Sequence, residues 1–184
     1  MATYPVFSVG EVLTADDMNA VSGWKTGTAT GTNTTALTVD GCFSADYLNY
    51  RVIFTVYTAS ISDIVFFMRS GTPPANDGGA VYDLYGFTLT PGAALNGNVQ
   101  PNRTSGLLTD AFTGSTTQAS GAFDLFLPNA ASQTIQIGTS WGSNSGNIYY
   151  YNHRIETTTA YTGIQIKGSS ANISGDVKVY GYRN

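Results

Sequence analysis

The one stretch of this 184-residue chain whose spacing matches a catalytic motif is GTSWG, residues 138–142. It fits G-x-S-x-G, in which a serine nucleophile sits on a strained strand-to-helix turn. Here Ser140 is followed by WGSNSGNIYYYN, a turn and then a strand, and no Asp or Glu lies between Ser140 and His153, the only histidine. The order Asp124, His153, Ser170 can be written down as a triad, but nothing in its spacing supports one. Ser140 is therefore expected to be a strand residue beside a glycine-rich turn. A zinc site needs several His or Cys ligands, and the chain has one of each. The turns Asp40-Gly41 and Asp77-Gly78 lack the flanking acids of a calcium loop, and no glycine-rich phosphate cradle is present. Asp63, Asp83, Asp110, Asp124, Glu156 and Asp176 are scattered singly, so no general acid–base pair is marked. The expectation is no catalytic residue, no metal and no cofactor.

Two further groups are read as structural. His153 lies in NHRIET, on a strand, with Glu156 on the opposite face, and is expected to be a hydrogen-bonded strand histidine. Cys42 is expected to be a small buried hydrophobe. The twelve tyrosines are more suggestive. The run Tyr149-Tyr150-Tyr151 alternates faces, so its members cannot all point inward. Tyr82, Tyr85, Tyr149 and Tyr151, with Tyr180 and Tyr182, are read as a surface platform. Tyrosine serves both subunit interfaces and sugar stacking, having an apolar face and a polar tip. Both readings stay open.

These residues are carried by short strands. After Trp24, segments rich in Val, Ile, Tyr, Phe and Thr alternate with turn residues such as Asp40-Gly41, Pro73-Pro74, Asn96-Gly97 and Ser143-Asn144-Ser145-Gly146. About eight to ten such strands without intervening helices predict an all-β fold, an antiparallel β-sandwich or jelly roll. Residues 91–120 are rich in breakers and read as a long excursion on one rim. Only 11% of residues are charged, against about 25% in an average domain. Thr, Ser and Asn must therefore supply the polar surface, and little charge keeps copies of the chain apart. Eight basic residues and a net charge of −4 speak against nucleic-acid binding. No apolar run approaches the ~20 residues of a membrane span. Met1 is followed by ATYPVFS, without a basic region or an apolar core, so a product retained in the cytoplasm is expected.

Residues 1–23 differ from the rest. In GEVLTADDMNAV, Thr14 and Asp17 have capping-box spacing, Leu13 and Met18 suit a hydrophobic staple, and Asp16 and Asp17 suit the positive end of a helix. A short helix is predicted. Two turns are not stable alone, so Val12, Leu13, Met18 and Val21 need a surface to cover them. The chain is read as a docking segment, 1–23, and a β body, 24–184.

The same segment carries a resemblance. VFSVGEVLTADDMNAVSGW resembles the opening of many tailed-phage minor tail and fibre-like proteins. TALTVDGCFSADYLNYRVIF, RSGTPPANDGGAVYDLYGFTL and the closing YTGIQIKGSSANISGDVKVYGYRN are similar to later segments of the same group. The resemblance covers about half the chain and not residues 91–160. It implies a non-enzymatic virion structural protein, tail-associated as a minor tail protein or short fibre. Such a protein would be made in the bacterial host cytoplasm, form homotrimers, and dock to other virion proteins through its N-terminal segment. With no heptads or collagen-like repeats, the chain would be a compact element, not a shaft. Capsid decoration is the alternative within the virion; a carbohydrate-binding module for host-surface glycans is the alternative from another class, with a hydrolase behind it.

Overall fold

The computed structural model describes residues 24–58, 60, 62–110, 117–143 and 146–182. The expected N-terminal helix, with Val12, Leu13, Thr14, Asp17, Met18 and Val21, lies outside the described residues. From Trp24 onward the described chain is strand and turn, and every strand pairing is antiparallel.

The described residues form thirteen strands: β1 (Trp24–Thr34), β2 (Leu37–Val39), β3 (Asn49–Thr58), β4 (Ile64–Ser70), β5 (Ala75–Asn76), β6 (Tyr82–Leu89), β7 (Asn96–Arg103), β8 (Gly106–Thr109), β9 (Thr117–Phe126), β10 (Thr134–Gly142), β11 (Asn147–Ile155), β12 (Gly163–Gly168) and β13 (Ile173–Tyr182). Eight make one sheet, in the order β1-β13-β3-β9-β10-β11-β6-β7; β2-β12-β4-β5 make the other, with β8 paired to β4.

Period-two patterning explains most of this. In β3, Tyr50, Val52, Phe54 and Val56 are buried while Arg51, Ile53 and Tyr57 are exposed. The buried side meets Ile64, Phe66 and Met68 of β4 and Ile164 and Ile166 of β12, which form a single core with Val177 and Val179 of β13. Phe66 is its hinge point between sheets: its ring stacks on Phe123 of β9 at 5.5 Å and meets the edges of Tyr82 and His153. Close approach requires glycine at several positions, Gly106 and Gly175 among them. A side chain at Gly106 of β8 would occupy the Phe66 ring, and Gly175 of β13, at φ +142°, lies against the Thr55 carbonyl. Cys42 is buried as expected, donates to the Val39 carbonyl at 3.3 Å, and has its thiol pKa pushed up to about 12 by burial.

Two expectations need correction. There are more strands than the eight to ten expected. The threonine-glycine run 25–34 has almost no apolar side chains, yet it forms β1, an edge strand held by the β13 ladder and by Thr26 and Thr28 hydroxyls donating to the Val179 and Val177 carbonyls. The supposed loose excursion 91–120 contains β7, another edge strand, and β8. β7 carries Pro101, which an edge tolerates. Edge strands need bury little, so their patterning is weak.

Candidate functional site

The motif serine and the histidine lie on adjacent strands, β10 and β11, and both point into the sandwich. They do not meet. His153 is opposite Gln136, and Ser140 is opposite Tyr149, so the two are offset by four residues, about 14 Å along the strands. Each is engaged elsewhere. The Ser140 hydroxyl donates to the Leu108 carbonyl of β8. His153 Nε2 accepts the Leu107 amide at 3.0 Å, and Nδ1 meets Gln136 Oε1 at 2.7 Å. Nε2 as acceptor means that Nδ1 carries the proton and donates to Gln136. Burial pushes the imidazole pKa down to about 3, so it stays neutral. Asp124 faces the other way, paired to Arg51 at 2.8 Å.

This explains why GTSWG is polar on its inner side. β8 is a four-residue edge strand whose backbone groups at Leu107 and Leu108 face the larger sheet. His153 and Ser140 satisfy them, as buried amides and carbonyls require. A void beside Gly138, lined by Leu108, Phe123, Gln136, Ser140 and Tyr151, has room for about one water. Among the described residues no three His, Cys, Asp or Glu side chains gather as a metal would need.

The expected tyrosine platform divides. Tyr82, Tyr149 and Tyr151 are buried in the sandwich and Tyr85 is exposed. Parity decides it: Tyr82 and Leu84 share the inner side of β6, and Tyr149, Tyr151 and His153 share that of β11. Their hydroxyls are occupied. Tyr82 accepts the Met68 amide and donates to the Asp77 carbonyl; Tyr149 donates to the Asp110 carbonyl; Tyr151 bonds Thr88 at 2.9 Å. These three are core tyrosines with polar tips at the rim.

What the outer side of the larger sheet presents instead is an apolar field. In β10 the usual polarity is inverted: Thr134, Gln136 and Ser140 point inward, while Ile135, Ile137 and Trp141 point outward and are exposed. Ladder register aligns these with neighbours. Trp141 lies opposite Ile148 of β11, and Ile148 opposite Leu89 of β6. One row along, Tyr150 faces Phe87, with rings stacked at 4.7 Å. In the next row Ile137, Asn152, Tyr85 and Val99 run from β10 to β7. Phe126 and Ile135 close the fourth row, and Ile53 flanks the field on β3. Charges on this face are matched within it: Arg51 with Asp124, and Arg154 with Asp83 at 2.7 Å and with Glu156. The Asn102 amide and the Arg154 guanidinium together hold the Asp83 carboxyl below the usual range.

Tyr85 was the only member of this field singled out from the sequence as a site residue. A signal for the others was present in TIQIGTSWG, whose apolar residues all share one parity opposite Gln136 and Ser140. It is readable only once the polar side is known to face inward. Comparison of the chain with protein-family models, with curated proteins and with solved structures finds no match.

Proposed function

We propose that the chain is a non-enzymatic structural protein of a tailed-phage virion. In this reading it is tail-associated, as a minor tail protein or short fibre, with a homotrimeric jelly-roll body that docks to the particle or to sister subunits through residues 1–23. The observation that carries the reading is where the resembling segments lie. LTV of β2 pairs with IQI of β12 in the smaller sheet, and NYRVIF of β3 pairs with VKVYGY, the second part of β13, in the larger. Segments more than a hundred residues apart thus pair directly with one another, while the third resembling segment supplies β6, on the far side of β9, β10 and β11 in the larger sheet. The shut-in state of Ser140 and His153 supports the non-enzymatic part, since neither reaches the other or solvent.

Particle assembly tests this. A chain lacking residues 1–22 is expected to fold but to be lost from particles; normal incorporation would remove the docking assignment. Gel densitometry of purified particles separates tail from capsid, since a tail element is present in few copies and decoration in hundreds. The glycan-binding alternative retains Tyr85 as the exposed one of its four principal tyrosines, so glycan-array binding lost in Tyr85→Ala would favour it.

A further inference from the structure

We infer that the outward face of β3, β9, β10, β11, β6 and β7 is the contact between copies of this chain. The inference deepens the self-assembly part of the function proposed above and rests on it.

Inverted polarity is the first argument. A water-facing strand ordinarily places its polar residues outward, and exposed apolar area is informative when it is contiguous. In β10 the outward side carries Ile137, 49% exposed, and Trp141, 41% exposed, while glutamine and serine are buried behind them. Tyr85 at 45% and Val99 at 68% continue the field directly opposite each other on β6 and β7.

Area is the second. Six strands at about 4.8 Å spacing and seven residues at about 3.4 Å rise give a field of roughly 29 Å by 24 Å, on the order of 700 Å² in flat projection. Side-chain relief makes the accessible area larger. A stable interface takes about 800 Å² from each partner, so the field is the right size for one subunit contact. It is also aromatic at its centre, with Trp141, Tyr150, Phe87 and Tyr85, as interface cores are.

Charge is the third. Every ion pair on the face closes within the face. With two guanidiniums against three carboxylates the face carries a net −1, which gives no attraction for a nucleic acid and only a weak field for a charged partner, and it suits an apolar surface of low charge. The chain's own copy carries one. β13 bounds the field with Ser174, Asp176 and Lys178, a polar rim.

Sedimentation velocity on the full chain, from 1 to 100 µM, tests the inference. The unmodified chain is expected to sediment as more than one copy, Ile137→Glu to weaken association at least 100-fold with the urea midpoint of the dilute, single-copy chain unchanged, and Gln165→Glu on the other sheet to associate as the unmodified chain does. Assembly of Ile137→Glu as tight as the unmodified chain would overturn the inference and leave the proposed function standing. A single-copy species at every concentration would overturn both. If deletion of residues 1–22 turned a single-copy chain into an assembling one, the face would belong to the chain's own N-terminal segment, and the inference would fall. A second measurement does not depend on the glutamate variant folding. Cys42 is buried, so Thr139→Cys places one reactive thiol in the field. Its labelling by maleimide is expected to slow at least tenfold at assembling concentration relative to the dilute chain; equal rates would contradict the inference.

Discussion

The two outer faces of this sandwich are built on opposite plans. On the smaller sheet, polar side chains run across the strands and bond to one another. Thr38 of β2 accepts from Gln165 of β12, which accepts from Asn76 of β5; Arg69 of β4 bonds Asn76, the Pro74 carbonyl and Asp40, and Lys167 lies over the Phe67 ring. That face covers its own apolar residues. On the larger sheet, Ile137, Trp141, Ile148, Leu89, Tyr85 and Val99 stand in register and exposed, with none of the described residues laid over them. Both faces come from antiparallel strands with the same alternation of side chains, although the strands of the larger sheet are longer, so the pairing geometry does not cause the difference. It arises from which parity of each strand received the polar residues. In β10 the polar parity was needed inside: Ser140 satisfies the Leu108 carbonyl of β8, and Gln136 accepts from His153 of β11, whose other ring nitrogen accepts the Leu107 amide.

The largest expected effect removes the support of both faces together. Phe66→Ala deletes the ring between the sheets and should cost about 3–5 kcal/mol in urea unfolding; a loss under about 1 kcal/mol would mean that the sheets are held apart elsewhere. Next is the internal device that forces the asymmetry. His153 is neutral when folded, with a pKa of about 3 against the usual 6.5. Above pH 6.5 neither state binds the proton and stability is flat. As pH falls, the unfolded chain takes up the proton first, so stability declines until the folded chain also binds near pH 3. Between pH 6.5 and pH 4 this amounts to about 3 kcal/mol. His153→Leu should start less stable, with the Leu107 amide orphaned, and lack that part of the slope.

Smaller effects separate the faces directly. Trp141→Ala should weaken self-association by about 2 kcal/mol or more, as a buried aromatic anchor does, while leaving the urea midpoint of dilute chain nearly unchanged. Gln165→Ala, on the self-covered face, should cost about 1 kcal/mol of folding stability from two lost hydrogen bonds and leave self-association unaltered. Reversal of these two results would remove the contrast between the faces.

Much of the fold was legible because the core strands announce themselves. NYRVIFTVYT alternates cleanly, and β4 and β12 are apolar runs bounded by turns. The edges were not legible. β1 and β7 bury little and consist of Thr, Gly and Asn, so pattern has nothing to act on. The candidate face was hidden for a different reason. The apolar character of Ile135, Ile137 and Trp141 does not say which face they take, and Tyr82, Tyr149 and Tyr151 were read as surface residues because they are polar-tipped. Parity relative to β8, a contact far away in sequence, puts the first three outside and the second three inside. Of the four tyrosines Tyr82, Tyr85, Tyr149 and Tyr151, Tyr85 alone stays outside.

Sedimentation equilibrium of the unmodified full chain tests the central claim most directly. The account predicts a mass three times the 19.4 kDa of one chain at micromolar concentration, falling toward one chain in Trp141→Ala. A mass of 19.4 kDa at every concentration, with Trp141 as open to solvent quenchers as in the single chain, would contradict it.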